Sequence, residues 1–372
     1  MSSAEHLEVH RYGSTVYRDM LREFRNAEEE INLEFYIYTD DRTGRLFAEE
    51  LKKAAERGVD VRVVIDGFGS SDFPYPIFKD LRESGVDIRY YNPIKMYKGI
   101  WRWVLRDHRK IVTVDEKAGY LGGMNINRRH LHPDELDDMP PEMSIKDTQV
   151  KITGPKVKEI RNRFGETWQL MTGEDFGFSE PGKMTESKIL GGKLRNQNNA
   201  LKDYVRRFRD AEKSIWLTQA YFVPPPYIRE VLYDAVDRGV DVRLVVPGTM
   251  DIVSVRSASK YLFRELVENG VKVYEYQNNL IHSKTGVVDG EWAGIGSLNI
   301  DYQSVLRNLE LNVSTRRRDT AKEMERHFRD DMKKSERVTM EDIEKRSSFS
   351  RFRNWFCHNF RWIYWCPLQS SP

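Results

Sequence analysis

His108-Arg109-Lys110-Ile111-Val112-Thr113-Val114-Asp115 runs on to Gly122-Gly123-Met124-Asn125, and the same sentence is written again further along the chain. The second copy reads His282-Ser283-Lys284-Thr285-Gly286-Val287-Val288-Asp289 and runs on to Gly296-Ser297-Leu298-Asn299. From histidine to asparagine the spacing is identical in both. The stretches upstream repeat as well, in the same order and roughly 180 residues apart. Ala27-Glu28-Glu29-Glu30-Ile31 returns as Ala211-Glu212-Lys213-Ser214-Ile215, Arg57-Gly58-Val59-Asp60-Val61 as Arg238-Gly239-Val240-Asp241-Val242, and Gly85-Val86-Asp87-Ile88 as Gly270-Val271-Lys272-Val273. A period this long is not that of a solenoid; it marks a fused tandem duplication.

Each copy reads as strands alternating with helices, which places the fold in the α/β class. In the first half the apolar spacing predicts a helix over Tyr17 to Ala27 and a strand over Ile31 to Tyr38. A second helix is expected from Phe47 to Arg57, ended by Gly58, and a buried strand from Val61 to Ile65. With 372 residues, 39% of them hydrophobic, the chain can fill two ordinary cores. The expected division is a first domain over residues 1–175 and a second over 193–340. Residues 176–192, rich in glycine and without periodicity, read as a linker or an active-site loop. Residues 341–372 form a basic, aromatic tail.

The residue types define a chemistry. On a strand, His and Lys two apart project from one face, so His108 with Lys110, and His282 with Lys284, meet the same ligand. Asp115 and Asp289 complete the motifs and are counted in the catalytic set. Their odd separation from the lysines, toward the strand ends, gives them the task of fixing the turn. Asn125 and Asn299 follow glycine turns, where a side-chain amide can donate to a phosphoryl oxygen. Two halves brought face to face would place two imidazoles on opposite sides of one phosphorus. One would attack to give a phosphohistidine, while the other protonates the leaving oxygen and then activates the incoming hydroxyl. The lysines and asparagines would carry the phosphoryl charge, so neither a metal nor another cofactor is implied. His6, His10, His130, His132 and His358 stand outside any such pattern and read as ordinary core or surface side chains.

The paired His-x-Lys-x4-Asp motifs resemble those of the phospholipase D superfamily. The stretches Asp107-His108-Arg109-Lys110, Lys146-Asp147-Thr148, Ala220-Tyr221-Phe222-Val223-Pro224 and Gly296-Ser297-Leu298-Asn299 are similar to its bacterial cardiolipin synthase branch. The resemblance runs from about Tyr17 to about Thr320. It implies two pseudo-two-fold-related α/β/α domains with the active site at their interface, and metal-independent phosphatidyl transfer with His108 as nucleophile and His282 as acid and base. It also implies that an acidic residue downstream of each motif orients a histidine, a place filled here by Asp147 and Glu310. Where the branch commonly carries Trp-Arg-Asp, this chain has Ile145-Lys146-Asp147. The activity so implied joins a phosphatidyl donor, phosphatidylglycerol or alternatively phosphatidylethanolamine, to phosphatidylglycerol. A lipid hydrolase and a nuclease of the same superfamily are the rival readings, together with a catalytically silent membrane scaffold.

Charge bears on the partner. A net charge of +2 is nearly balanced, which disfavours nucleic acid. Lys95, Lys98, Arg102, Arg106 and Arg109 lie among Met96, Tyr97, Trp101 and Trp103, a mixture suited to anionic phospholipids at a membrane surface. The tail, from Lys345 to Pro372, has five basic residues and no acidic one. On a helix its Arg351, Asn354, His358 and Arg361 form a polar stripe opposite Phe352, Phe356, Phe360 and Ile363, so it is expected to lie in a lipid interface, with docking on the core as the alternative. No apolar run reaches membrane-spanning length, and Met1 to Tyr12 lack a signal-peptide core. Cys357 and Cys366 have no metal or disulfide framework and read as free thiols. The expectation is a peripheral protein on the cytoplasmic face of the cell membrane.

Overall fold

The computed structural model describes residues 5–93, 105–136, 139–180, 182, 185–191, 199–249 and 252–360. The first half begins with β1 (His6–His10), α1 (Gly13–Asn26), β2 (Glu30–Phe35) and α2 (Arg42–Glu56). It continues through β3 (Asp60–Asp66), α3 (Tyr75–Glu83) and β4 (Asp87–Tyr91) to the motif strand β5 (Lys110–Val114). Then follow β6 (Ala118–Gly122), β7 (Ile145–Lys146), β8 (Gln149–Thr153) and α4 (Lys156–Thr172).

The second half opens with β9 (Ser187–Gly191), α5 (Asn199–Asp210), β10 (Ser214–Gln219), β11 (Phe222–Val223) and α6 (Pro226–Asp237). Next are β12 (Asp241–Pro247), α7 (Val253–Glu268), β13 (Lys272–Tyr276), β14 (Leu280–Ile281) and the second motif strand β15 (Lys284–Val288). The half closes with β16 (Trp292–Gly296), β17 (Ile300–Asp301), α8 (Tyr302–Leu306), β18 (Leu311–Thr315) and α9 (Arg318–Lys333). Beyond it lie β19 (Ser335–Arg337), α10 (Met340–Glu344) and α11 (Ser348–Asn359).

The expected local signals account for these elements. α1 buries Val16, Tyr17, Met20, Leu21 and Phe24 at helical spacing. α2 starts where the Asp41 side chain accepts from the Gly44 N–H at 3.0 Å, and the chain leaves it through Gly58 at φ +91°, a conformation that favours glycine. Gly239 repeats that turn after α6 at φ +87°, so the shared Arg-Gly-Val-Asp-Val text encodes one helix exit and strand entry used twice.

Strands β1-β8-β6-β5-β2-β3-β4 form a seven-stranded sheet, and β19-β13-β12-β10-β15-β16-β18-β9 an eight-stranded one. In each, the motif strand lies antiparallel between its two neighbours, β2 and β6 in the first half, β10 and β16 in the second. Helices α1 and α2 cover the outer face of one sheet and α5, α6 and α7 that of the other, each over its own core. The inner faces meet: Ile111, Leu121, Val150 and Ile152 pack with Val287, Ala293, Ile295, Leu311 and Val313 in one buried cluster. Burying these apolar faces against one another fastens the two copies together.

Two segments differ from expectation. Residues 176–192 are not simply a loop. Phe176 packs on Phe164, Gly165 and Trp168 of α4, and Ser187–Gly191 then forms β9, the edge strand paired with β18. Its five residues between glycine-rich flanks carry too little β pattern to announce a strand, and pairing with β18 creates it. The tail does dock on the core, through α11 against α7, but by its polar stripe: Asn354 and Cys357 are buried and His358 stacks on Tyr261 at 4.7 Å. Arg361, Ile363 and Cys366 lie outside the described residues.

Candidate active site

The motif histidines stand just before their strands, at the edge where the halves meet. Two matching exchanges of backbone bring them there. Asp107 bridges Leu309, with His108 N–H donating to Leu309 O at 3.0 Å. In the mirror arrangement β14 pairs with β7, matching Ile281 to Lys146, and His282 N–H donates to Lys146 O at 2.7 Å. Each histidine is therefore laid beside the acidic residue of the other half. His108 Nδ1 lies 3.1 Å from both carboxylate oxygens of Glu310, and His282 Nδ1 lies 2.6 Å from Asp147 Oδ2. With Nδ1–H donated to Glu310, the lone pair of His108 is on Nε2, while Nε2 of His282 lies 3.0 Å from Lys284 Nζ.

The residues after the glycine turns accommodate these acids. A Cβ on Gly123 would stand 2.2 Å from Asp147 Oδ1, so glycine is required there. The equivalent Ser297 instead donates its hydroxyl to Glu310. The one difference between Gly-Gly and Gly-Ser thus follows the different acid each faces.

Lys110 donates to His108 O at 2.7 Å and stands over the Tyr36 ring at 5.3 Å. Lys284 donates to His282 O, lies 2.7 and 3.0 Å from the ring nitrogens of His282, and is 3.7 Å from Asp147. Tyr36 and Tyr221 set their rings edge-on against His108 and His282 at 5.1 and 5.8 Å.

The electrostatics of the two halves differ. Burial, helped by the charges of Lys110 and Lys284, holds His108 well below the usual histidine range, so it is neutral. Burial pushes Glu310 up to about 7, with Lys110 offsetting part of the rise, and lowers Lys110 to about 7. Asp147 is also buried, yet Lys284 and His282 outweigh that and hold it at about 2. A neutral imidazole on one side and a fixed carboxylate behind the imidazole on the other can serve as nucleophile and proton carrier.

A family profile described as "Cardiolipin synthase, PLD-like domain" matches residues 20–168 and 204–332, one block in each half. The chain belongs to the cardiolipin synthase, phospholipase-D-like family. The probable cardiolipin synthase YwiE of Bacillus subtilis is 29% identical over 370 residues, covering 97% of this chain and 72% of its own. The cardiolipin synthase of Geobacillus kaustophilus is 32% identical over 344 residues, 90% of this chain and 67% of its own. Among solved structures, the phosphatidylserine synthase of Haemophilus influenzae superposes with a TM-score of 0.71 at 14% identity, over 96% of this chain and 93% of that one, a likeness of fold.

Within this cardiolipin-synthase-family fold, the aspartates of the motifs are not in the site. Asp115 and Asp289 sit at the far ends of β5 and β15 with φ of +50° and +55°. Asp115 accepts backbone N–H bonds from Glu28, Glu29 and Glu30, and Asp289 from Glu212, Lys213 and Ser214. Counting them as catalytic is corrected by this geometry: each clamps the start of the neighbouring strand. In both halves the clamp closes on the backbone of the repeated Ala-Glu-x-x-Ile stretch.

Asn125 is fixed near the site by Ile37, whose N–H donates to its Oδ1 at 3.1 Å, and Tyr17 donates to its backbone oxygen. Asn299 is buried, and its Oδ1 has no hydrogen-bond partner among the described residues. His130, read from sequence as ordinary, is buried 6.4 Å from the His282 ring. Its Nε2 accepts from Asn125 N–H at 3.3 Å, and burial lowers it to about 3. No spacing rule signals it, because it reaches the site through a short 3-10 turn.

Arg106 and Arg109 are corrected too. Both are buried, Arg106 on Asp66 at 3.2 Å and Arg109 near Glu34 at 3.5 Å, so they hold the chain on either side of His108 and do not face lipid. Lys95, Lys98, Arg102 and their aromatic neighbours lie outside the described residues. Lys146, which departs from the branch pattern, is buried and pairs with Asp331 of α9, a second tie between the halves.

Proposed function

We propose that this chain is a phosphatidyltransferase that forms cardiolipin from phosphatidylglycerol by double displacement. The crossed histidine–carboxylate pairs carry the reading, because the acid behind His282 is held at about 2 while the one behind His108 is raised to about 7, which favours a protonated His282 facing a neutral His108. His108, neutral, attacks phosphorus through Nε2; the bond to the glycerol oxygen breaks, and His282 gives that oxygen its proton. His282 then takes the proton of the free hydroxyl of a second phosphatidylglycerol. Its oxygen attacks phosphorus, the phosphorus–nitrogen bond breaks, and His108 is released. Lys110, Lys284, Asn125 and Asn299 stabilise the phosphoryl oxygens. Phosphatidylethanolamine serves the same first step as an alternative donor. Family membership favours transfer over hydrolysis. Acting on phospholipids, the enzyme works at a membrane surface, and the reading places it peripherally on anionic phospholipids at the cytoplasmic face of the cell membrane.

Purified full chain incubated with phosphatidylglycerol vesicles and a strong chelator is expected to yield cardiolipin and glycerol in equal amounts, read by mass spectrometry. Phosphatidic acid as the sole lipid product would make it a hydrolase, and activity only on restoring a divalent ion would overturn the lysine-based charge stabilisation.

The rate should depend on pH in a way that identifies its groups. Below about 7 Glu310 takes up a proton and no longer holds Nδ1–H of His108 as an anion; above about 7 Lys110 loses its charge. A profile of kcat/KM falling on both sides of neutrality is expected. Lys110→Arg, which cannot be deprotonated in this range, should remove the alkaline limb even at a lower rate. An unchanged alkaline limb in that variant would assign it elsewhere.

A further inference from the structure

Helix α11 turns its aromatic side away from the protein. Asn354 and Cys357 are buried against α7, Cys357 lies beside Ser257, and just upstream Arg346 donates to Lys260 O at 3.0 Å and stands over Phe263. At about 100° per residue the opposite side carries Phe349, Phe352, Trp355 and Phe356. Phe349, Phe352 and Trp355 are 74%, 61% and 43% exposed, values large enough to call for an occupant. Their rings meet one another: Phe352 lies 5.9 Å from Trp355 and 6.3 Å from Phe356, which is 4.7 Å from Phe360. The result is a continuous aromatic strip with exposed Arg351 and Arg353 on its two shoulders.

A strip of rings edged by arginines, in a segment without an acidic residue, matches a headgroup layer of negative charge over an apolar interior. A second copy of the chain would bring the same arginines together with no carboxylate on either helix to meet them. We propose that the outward face of α11 is a docking surface for an anionic phospholipid bilayer, which holds the lipid-handling site against its substrate. The purpose rests on the phosphatidyltransferase reading; the binding does not.

Full-length Phe349→Ser/Phe352→Ser/Trp355→Ser and Arg351→Gln/Arg353→Gln proteins are compared with the parent by flotation on phosphatidylcholine vesicles containing phosphatidylserine. The aromatic triple variant is expected to lose roughly tenfold or more of vesicle binding at every salt concentration. The arginine variant should bind more weakly at low salt, with the difference fading as salt is raised. On a short-chain, water-soluble phosphatidyl ester both should turn over like the parent. The replaced side chains are exposed, so the thermal midpoint should hold; were the triple variant to unfold, the arginine variant and its salt dependence decide. The proposal is overturned if both variants float as well as the parent, or if the parent is a lipid-free dimer that the triple variant renders monomeric. Should no lipid be turned over by any of the proteins, the transferase reading fails while flotation still tests the surface.

Discussion

His108→Ala and His282→Ala are each expected to lower turnover on phosphatidylglycerol by roughly 10⁴-fold or more, since covalent catalysis and proton transfer act as one unit. The two losses should differ in kind. His282 supplies a proton to the leaving oxygen, so a donor with a good leaving group, such as a phosphatidyl ester of nitrophenol, should restore much of the first step in His282→Ala. No leaving group can restore His108→Ala, because the attacking nitrogen is gone. A burst of nitrophenol in one variant and none in the other is the measurement. Equal rescue of both would deny the division of labour.

The crossed pairing yields the second large effect. Asp147→Asn and Glu310→Gln should each cost about 10² to 10⁴ in turnover, because an amide in place of the carboxylate favours the wrong imidazole tautomer. Asp147 lies in the first half but bonds His282 of the second, and Glu310 lies in the second but bonds His108 of the first. Asp147→Asn should therefore behave like a His282 variant, rescued by a good leaving group, and Glu310→Gln like a His108 variant, refractory to it. If each acid served the histidine of its own half, the two phenotypes would be exchanged.

The duplication, the α/β class and the early helices and strands were legible because the signals are local. Periodicity in Leu21 and Phe24, and glycines after α2 and α6, need no partner to be read. The role of Asp115 was half legible: its odd spacing from Lys110 pointed to the turn, while its three backbone donors could be located only once β2 was beside β5. The crossing of Asp147 and Glu310 was not legible, since it depends on β7 pairing β14 and Asp107 meeting Leu309 far away in sequence. The placement of His130 is not legible in sequence for a related reason, since it depends on a non-periodic turn held by Asn125. For α11, amphipathicity told that two faces exist but not which one the core takes; burial of Asn354 put the aromatic face outside.

The most direct test of the shared two-histidine site is to find the covalent phosphatidyl group. His282→Asn protein is mixed with the nitrophenyl phosphatidyl donor, quenched under alkaline conditions that preserve phosphohistidine, and mapped by peptide mass spectrometry. A phosphatidyl adduct on His108, absent from His108→Ala/His282→Asn, is the expected result. An adduct on His282 in a His108→Ala protein, with none on His108 in His282→Asn, would reverse the two roles, and transfer without any adduct on either residue would contradict the double displacement itself.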